Sequence, residues 1–333
     1  MGSPPRFIPK IPPKGSKMQG NTTDSATWRY KPNSIQIEVV QGCNRRCQFC
    51  GSMGVEHKIH FSEPRTVYHT CKLIRDANLN CRICLAGHGE PTLHPNLLGI
   101  VSQIRKMLPK NTIHLLTNGT VIVKKPEMVR QLFCAGVNDI IIDEYTETRG
   151  IGTAIAKNVP EIERVFQGAG VPMYAPKNPT AQRICINKPI EFKGNTPSRK
   201  LCNHCGAGMK PLKQPEKKMC SIIFRDMLVR WDGNIAICCN DFRGEYPVCN
   251  ILNCATLRQA YFHERLEAAR KFLMLKQRTF HPCDICDVSP IRPGLLPDAL
   301  GKQTMPEPTE ADMRIVREKR QALAVIVKRE WEA

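Results

Sequence analysis

The chain has 333 residues, of which 41% are hydrophobic and 24% charged, enough apolar material to bury a core or two and too much for a disordered chain. It carries 49 Lys and Arg against 30 Asp and Glu, a formal net charge of +19, which favours polyanions as partners, nucleic acid first among them. No run approaches the roughly 20 uncharged apolar residues of a membrane span, so a transmembrane segment is excluded.

The first thirty residues lack the apolar centre of a secretory signal, and Arg6 stands where myristoylation wants Ser or Thr, so the cytoplasm is the expected location. Seventeen cysteines are about three times the usual share. An odd number in a chain of this size argues for metal ligation rather than a disulfide framework.

Residues 1–33 are rich in Pro, Lys, Arg and Ser and read as an irregular basic arm. From Ser34 the β-branched run IQIEVV predicts a strand that empties into the cysteine cluster QGCNRRCQFC. Helices are expected near 63–76, 95–107, 125–135 and 159–167, with strands at 82–87, 112–117, 138–143, 170–174 and 182–186 between and after them. This alternation predicts an α/β region over 34–190 built on a parallel sheet or barrel. After Pro189 cysteines become dense again, and SIIFRDMLVRW, a turn at Asp232-Gly233 and NIAICC read as a hairpin. A second, small domain is expected over 191–290. Residues 291–333 are expected to form a linker and a helix from Thr309 to Trp331, with Met313, Val316, Leu323, Ile326 and Val327 as its apolar face.

Cys43, Cys47 and Cys50 form C-x3-C-x2-C. Three thiolates on a compact loop suit a cluster with one iron left open to a ligand. The alternative is a zinc knuckle with His57 as the near fourth ligand. With aromatic Phe49 before the last cysteine, GCNRRCQFC resembles the signature of the radical S-adenosylmethionine superfamily. The resemblance implies a partial (β/α)6 barrel and a 4Fe-4S cluster on the three cysteines. It also implies S-adenosylmethionine (SAM) chelated at the open iron and cleaved reductively to methionine and a 5′-deoxyadenosyl radical.

Gly87-His88-Gly89-Glu90-Pro91 after the second strand is similar to the family's GGEP motif. In the family that backbone and acidic side chain receive the cofactor's amino group, so Gly87, Gly89 and Glu90 are expected to bind SAM, as Phe49 is. Thr117-Asn118-Gly119 after the third strand resembles the element near the cofactor ribose, which assigns Thr117 and Asn118 the same role. Asp143 and Glu144 end the fourth strand and are expected at the barrel mouth. Catalytic residues proper stay unassigned.

Cys220, Cys238, Cys283 and Cys286 supply four thiols from a hairpin and a distant C-x2-C, enough for a structural zinc or a fully ligated 4Fe-4S cluster. Their spacing, with Gly233 five residues before Cys238, resembles the auxiliary-cluster regions called SPASM and twitch domains. No cysteine follows Cys286, so the resemblance implies one auxiliary cluster in a twitch-like domain. Cys239 is expected to be a buried thiol, with Cys249 and Cys254 as alternates. Cys202 and Cys205 are either linker thiols or half of a zinc site, and Cys81 and Cys84 belong to the core.

Between 188 and 230 the basic residues are Lys188, Lys193, Arg199, Lys200, Lys210, Lys213, Lys217, Lys218, Arg225 and Arg230, against acidic Glu191, Glu216 and Asp226. Such a segment is either a solvated surface or a track for a phosphate backbone, extended by Arg45 and Arg46. Some phage-encoded members of the superfamily isomerise adducts on thymidine in viral DNA. The favoured expectation is therefore radical modification of a substituted DNA base, with a flavodoxin or ferredoxin as electron donor. A radical peptide or protein maturase is the alternative, and a zinc-stabilised nucleic-acid-binding protein without catalysis is the second alternative.

Overall fold

The computed structural model describes Trp28 and residues 31–56, 58–145, 150–167, 181–187, 192–193, 196–197 and 201–288. The N-terminal arm, apart from a few residues at its end, and the expected strand at 170–174 fall outside the described residues, as does the C-terminal helix.

Nine strands form one sheet: β1 Ser34–Ile37, β2 Arg82–Leu85, β3 Ile113–Thr117, β4 Asp139–Asp143, β5 Glu163–Gln167, β6 Arg183–Asn187, β7 Asp226–Val229, β8 Asn234–Ala236 and β9 Pro247–Asn250. Their spatial order is β9-β8-β7-β1-β2-β3-β4-β6-β5. The strands from β7 to β5 in this order are parallel neighbours, and β8 and β9 add an antiparallel edge. This parallel α/β sheet is the architecture expected for the partial barrel. Strands β2 (RICL) and β4 (DIIID) are buried along almost their whole length, as parallel strands covered on both faces must be.

The helices are α1 Pro64–Asp76, α2 Leu97–Met107, α3 Thr120–Lys124, α4 Glu127–Ala135, α5 Ile151–Ala156, α6 Ile222–Arg225, α7 Leu257–Tyr261 and α8 Glu264–Met274. Helix α1 starts with Pro64 at its first turn, where no N–H is needed, and buries Val67, Cys71 and Ile74 on one stripe. Helix α4 ends at Gly136, whose φ of +117° lets its N–H close on the carbonyls of Leu132 and Phe133. Helices α1, α2 and α4 pack side by side.

Two expectations are corrected. The segment expected as a helix over 159–167 instead contains β5, paired in continuous register from Glu163 opposite Arg183 to Gln167 opposite Asn187. Sheet pairing outweighs a weak local helical pattern there. The expected strand over SIIFRDMLVRW begins only at Asp226, because Ile222–Arg225 is the helical turn α6.

The strand next to β4 is β6 rather than β5, and the chemistry at that end of the sheet shows why. Arg183 of β6 forks onto Asp139 of β4 at 2.8 and 3.1 Å, and His114 of β3 lies 3.1 Å from the same carboxylate. A buried carboxylate needs such partners, and they fix three neighbouring strands together.

Strand β7 extends the sheet in parallel from β1, with Ser34 opposite Asp226 and Ile37 opposite Val229. One continuous core runs from Ile35 through Ile142 and Ile186 to Val229, Tyr261 and Cys283. The two cysteine-rich regions thus hang on one sheet. Among the described residues no helix is long and apolar enough to cross a membrane.

Candidate active site

Glu38 follows directly on β1, is fully buried, and organises the floor of the site. Its Oε1 accepts the His88 N–H at 2.7 Å and lies 3.2 Å from His88 Nδ1, while its Oε2 accepts the Trp231 N–H at 3.1 Å. Burial alone would raise its pKa, but His88 and Arg230 more than offset that and hold it below the ordinary value. The sequence reading missed Glu38. The available signal was a lone carboxylate inside the apolar run IQIEVV.

The first cysteine loop is joined to the GHGEP turn by backbone. Gly42 and Gly89 form a parallel bridge, Gly42 N–H donates to His88 O at 3.3 Å, and Glu90 N–H donates to Gly42 O at 3.0 Å. A Cβ on Gly89 would collide with the Val40 and Gly42 carbonyls, and Gly87 has a φ of +133°. Glycine is required at both positions by close approach or backbone conformation.

Glu90 ties the ends of β2 and β3 together. Its Oε1 accepts from Thr92 N at 3.0 Å, Thr92 Oγ1 at 2.5 Å and Thr117 Oγ1 at 2.7 Å; its Oε2 accepts from Asn118 N at 2.8 Å. Burial raises its pKa, with these donors pulling the other way. Asn118 in turn reaches the cysteine loop, donating from Nδ2 to Asn44 Oδ1 at 2.9 Å and to Cys43 Sγ at 3.4 Å.

These groups surround one cavity of about 170 Å³. Cys43, Cys47 and Cys50 line it together with Gly87, Gly89, Glu90, Thr117, Asn118 and Asp143, and Arg45, His88, Tyr145 and Phe242 are also in its wall. Phe49 lies beside it, its ring stacked on that of Tyr145 at 6.5 Å. Asp143 accepts from Asn187 Nδ2 at 2.7 Å. Glu144 turns away to the Gly150 N–H that starts α5.

The donor set fits an iron-sulfur cluster. All three thiols are free, and two of the sulfurs already receive polar hydrogens: Cys43 from Arg45 N at 3.4 Å, and Cys50 from Ser52 N at 3.5 Å and Ser52 Oγ at 3.2 Å. Such donors stabilise ligated thiolate and bridging sulfide charge. Burial pushes the Cys43 thiol up to about 11, and a bound cation reverses that by deprotonating it.

The second set lies in one region of the fold. Cys220 precedes α6, Cys238 follows β8, and Cys283 opens a short helical turn that Cys286 closes. Burial, with Cys238 and Cys286 adding to it, raises the Cys220 thiol to about 11, and burial, with Cys238, Cys220 and Cys286 adding to it, raises Cys283 well above its ordinary value. The buried Arg278 guanidinium holds the surrounding backbone, donating to Lys218 O at 3.1 Å, Cys286 O at 3.2 Å and Val288 O at 2.9 Å. Among the described residues no three His, Cys, Asp or Glu converge on the position of a single metal ion.

The other cysteines sort as follows. Cys239 is half-buried rather than buried. Cys249 and Cys254 face each other with sulfurs 3.8 Å apart. Cys81 and Cys84 are core residues, contacted by Asn111 and Ser34. Cys205, expected as a linker thiol or part of half a zinc site, is buried, and Cys238 and Cys286 beside it push its thiol up. Sequence spacing gave no reason to attach it to that group.

The two cysteine regions touch. Phe242 packs on His88 at 4.1 Å and His204 at 5.0 Å, a Cβ on Gly208 would meet the Phe49 carbonyl at 2.6 Å, and Arg243 donates to Gly54 O and Gly206 O.

Residues 37–143 match the sequence profile of the Radical SAM superfamily. The chain is 33% identical over 112 residues to the probable GTP 3′,8-cyclase of Thermoplasma volcanium, covering 34% of this chain and 32% of that protein. It is 30% identical over 112 residues to the GTP 3′,8-cyclase of Trichodesmium erythraeum, covering 32% and 33%. The matched stretch spans about a third of the length of these curated relatives. Among solved structures, BtrN in complex with AdoMet and 2-DOIA superposes with a TM-score of 0.59 at 18% identity, over 78% of this chain and 94% of that chain. At that identity the likeness concerns the fold. With three cysteines, a glycine-rich acidic turn and a Thr-Asn-Gly turn on successive strand ends around one cavity, residues 37–143 form a domain of the Radical SAM superfamily.

Proposed function

We propose that this protein is a cytoplasmic radical SAM enzyme that modifies or isomerises a substituted base in DNA, with a second, auxiliary 4Fe-4S cluster. The observation that carries the enzymatic part is the single cavity shared by Cys43, Cys47, Cys50, Gly87, Glu90, Thr117 and Asn118. When bound, the cluster and SAM supply a 5′-deoxyadenosyl radical that abstracts hydrogen from the substrate. The chain's own residues perform the positioning. The three cysteines hold the cluster, Glu90 offers Oε2 to the cofactor ammonium, and Thr117 and Asn118 offer polar groups at the β3 end. Phe242 and Tyr145 wall the cavity, limiting water around a reactive species. A flavodoxin or ferredoxin supplies the electron. The four cysteines at 220, 238, 283 and 286 hold the auxiliary cluster.

A nucleic-acid substrate is supported by charge. Lys210, Lys213, Lys217 and Lys218 are exposed, on a segment that leaves the 202–209 loop beside the cavity wall. The net charge of +19 points the same way, and the curated relatives are named for GTP, itself a base on a polyanion.

Salt dependence tests this. Changing Lys210, Lys213, Lys217 and Lys218 to Gln should flatten the log–log salt slope of DNA binding by about 0.9 for each lysine on a phosphate. Uncoupled SAM cleavage should be unaffected, since these lysines lie outside the cofactor motifs. A wild-type slope in the variant, or turnover stimulated by peptides and never by DNA, would overturn the base-modifying reading in favour of a peptide maturase.

A further inference from the structure

The loop that follows β8 leans on the first cysteine loop, and one side chain of the GHGEP turn holds it there. Phe242 is 6% exposed. Its ring fills the space beside Gly51, the residue after Cys50, where an added Cβ would collide with it. The His88 ring packs on the same ring with centroids 4.1 Å apart, and Phe242 lines the cavity together with Cys43, Cys47 and Cys50.

The backbone of His88 is fixed without help from its side chain. Its N–H donates to Glu38 Oε1 at 2.7 Å, and its carbonyl accepts from Gly42 N–H at 3.3 Å. The imidazole reaches further, with Nε2 3.1 Å from the Cys239 carbonyl oxygen. A carbonyl can only accept, so Nε2 carries a hydrogen and donates it. Nδ1 stands 3.2 Å from Glu38 Oε1 but closes no hydrogen bond among the described residues. Between Cys239 and Phe242 the loop is stiff. Asp241 N–H donates to Cys238 O at 3.2 Å, Phe242 N–H donates to Asn240 O at 3.0 Å, and the Asp241 carboxylate accepts from Glu245 N–H and Tyr246 N–H at 2.9 and 3.0 Å. Anchoring the Cys239 carbonyl therefore anchors the Phe242 ring.

We propose that His88 is a positioning residue that, through the Cys239 carbonyl, seats Phe242 against the Cys50 end of the first cysteine loop and shields the cluster site from solutes. This rests on the reading of Cys43, Cys47 and Cys50 as cluster ligands. The apolar shell of a metal site controls solvent access to it, and a surface loop opens locally to the extent that its few fastenings allow.

The test exposes the reconstituted full chain, without SAM, to the ferrous chelator bathophenanthroline disulfonate. At intervals the chelator is removed, the protein is reduced, and the EPR signal that changes on adding SAM is measured. His88→Ala should lose that signal about three- to tenfold faster than the wild type, the change in a local opening equilibrium expected for one lost hydrogen bond. Phe242→Ala should lose it at least as fast. His88→Gln, whose amide NH2 reaches the place of Nε2, should stay near the wild type, whereas His88→Asn, whose shorter amide reaches only the place of Nδ1, should resemble His88→Ala. The Asn variant carries the same test if the Ala variant fails to fold. Wild-type rates in His88→Ala, His88→Asn or Phe242→Ala overturn the proposal. So does a Gln variant as fast as the Ala variant, because the donor at Nε2 would then hold nothing. A wild-type chain without a SAM-responsive signal would instead overturn the cluster reading itself, and the inference with it.

Discussion

Replacing Cys43, Cys47 and Cys50 together by Ala should abolish SAM cleavage and, with the proposed auxiliary centre left in place, remove about half of the iron. The fold should survive. The three cysteines lie in a loop after β1 and are only partly buried, while the core beneath is built from Ile35, Ile37, Ile83, Leu85, Ile113 and Leu115, all at 0–1% exposure. Far-UV circular dichroism and thermal unfolding of the unreconstituted variant should match the wild type. Formation of 5′-deoxyadenosine by the triple variant would mean that the radical site lies elsewhere.

The second large effect is expected at Glu90. Its carboxylate receives four donors from the β2 and β3 ends, and its Oε2 carries one of them, leaving acceptor capacity toward the cavity. Glu90→Gln keeps the shape but removes the charge and turns an NH2 toward N–H or O–H donors. Losing a buried charge partner of an ammonium costs about 2–4 kcal/mol, which is roughly thirty- to thousandfold in the Kd for SAM. Equilibrium dialysis with the reconstituted variant measures it. A fall in melting temperature accompanied by an unchanged Kd would reduce Glu90 to a tie between two strands. The sign of the pH dependence follows from burial: because the carboxyl pKa is raised, SAM affinity in the wild type should weaken on acidification earlier than for an exposed carboxylate, as protonation removes the charge.

What the sequence revealed about this site is what lies within a few residues of a strand end. Cys43 to Cys50, Gly87 to Glu90 and Thr117 to Asn118 each form a short run after a β-branched strand, and each line or adjoin the same cavity. Their local patterns are self-contained, so no knowledge of pairing was needed to see them. Glu38 is different. It reaches Trp231, 193 positions away, and its meaning depends on β7 docking beside β1, which no local pattern announces.

The same holds for the strand order. A helical reading of 159–167 was locally reasonable, and only the register with Arg183–Asn187 makes Glu163–Gln167 a strand. The Arg183–Asp139 fork that draws β6 to β4 joins residues 44 positions apart. Cys205 shows the limit most clearly. Its Cys202-x2-Cys205 spacing suggested a pair, whereas the structure bonds Cys202 to Asn240 at 3.5 Å and buries Cys205 beside Cys238 and Cys286. Two left-handed residues in succession redirect the second thiol, and backbone conformation of that kind is invisible in spacing.

The central claim, that the first three cysteines hold a cluster that binds SAM at an open iron, is tested most directly by low-temperature EPR of the reduced, anaerobically reconstituted protein with and without SAM. The account predicts a brown protein whose reduced-cluster signal changes on adding SAM, with that change absent from the Cys43, Cys47 and Cys50 triple variant. A colourless protein that takes up zinc instead of iron, or a reduced-cluster signal that SAM leaves untouched, would contradict it.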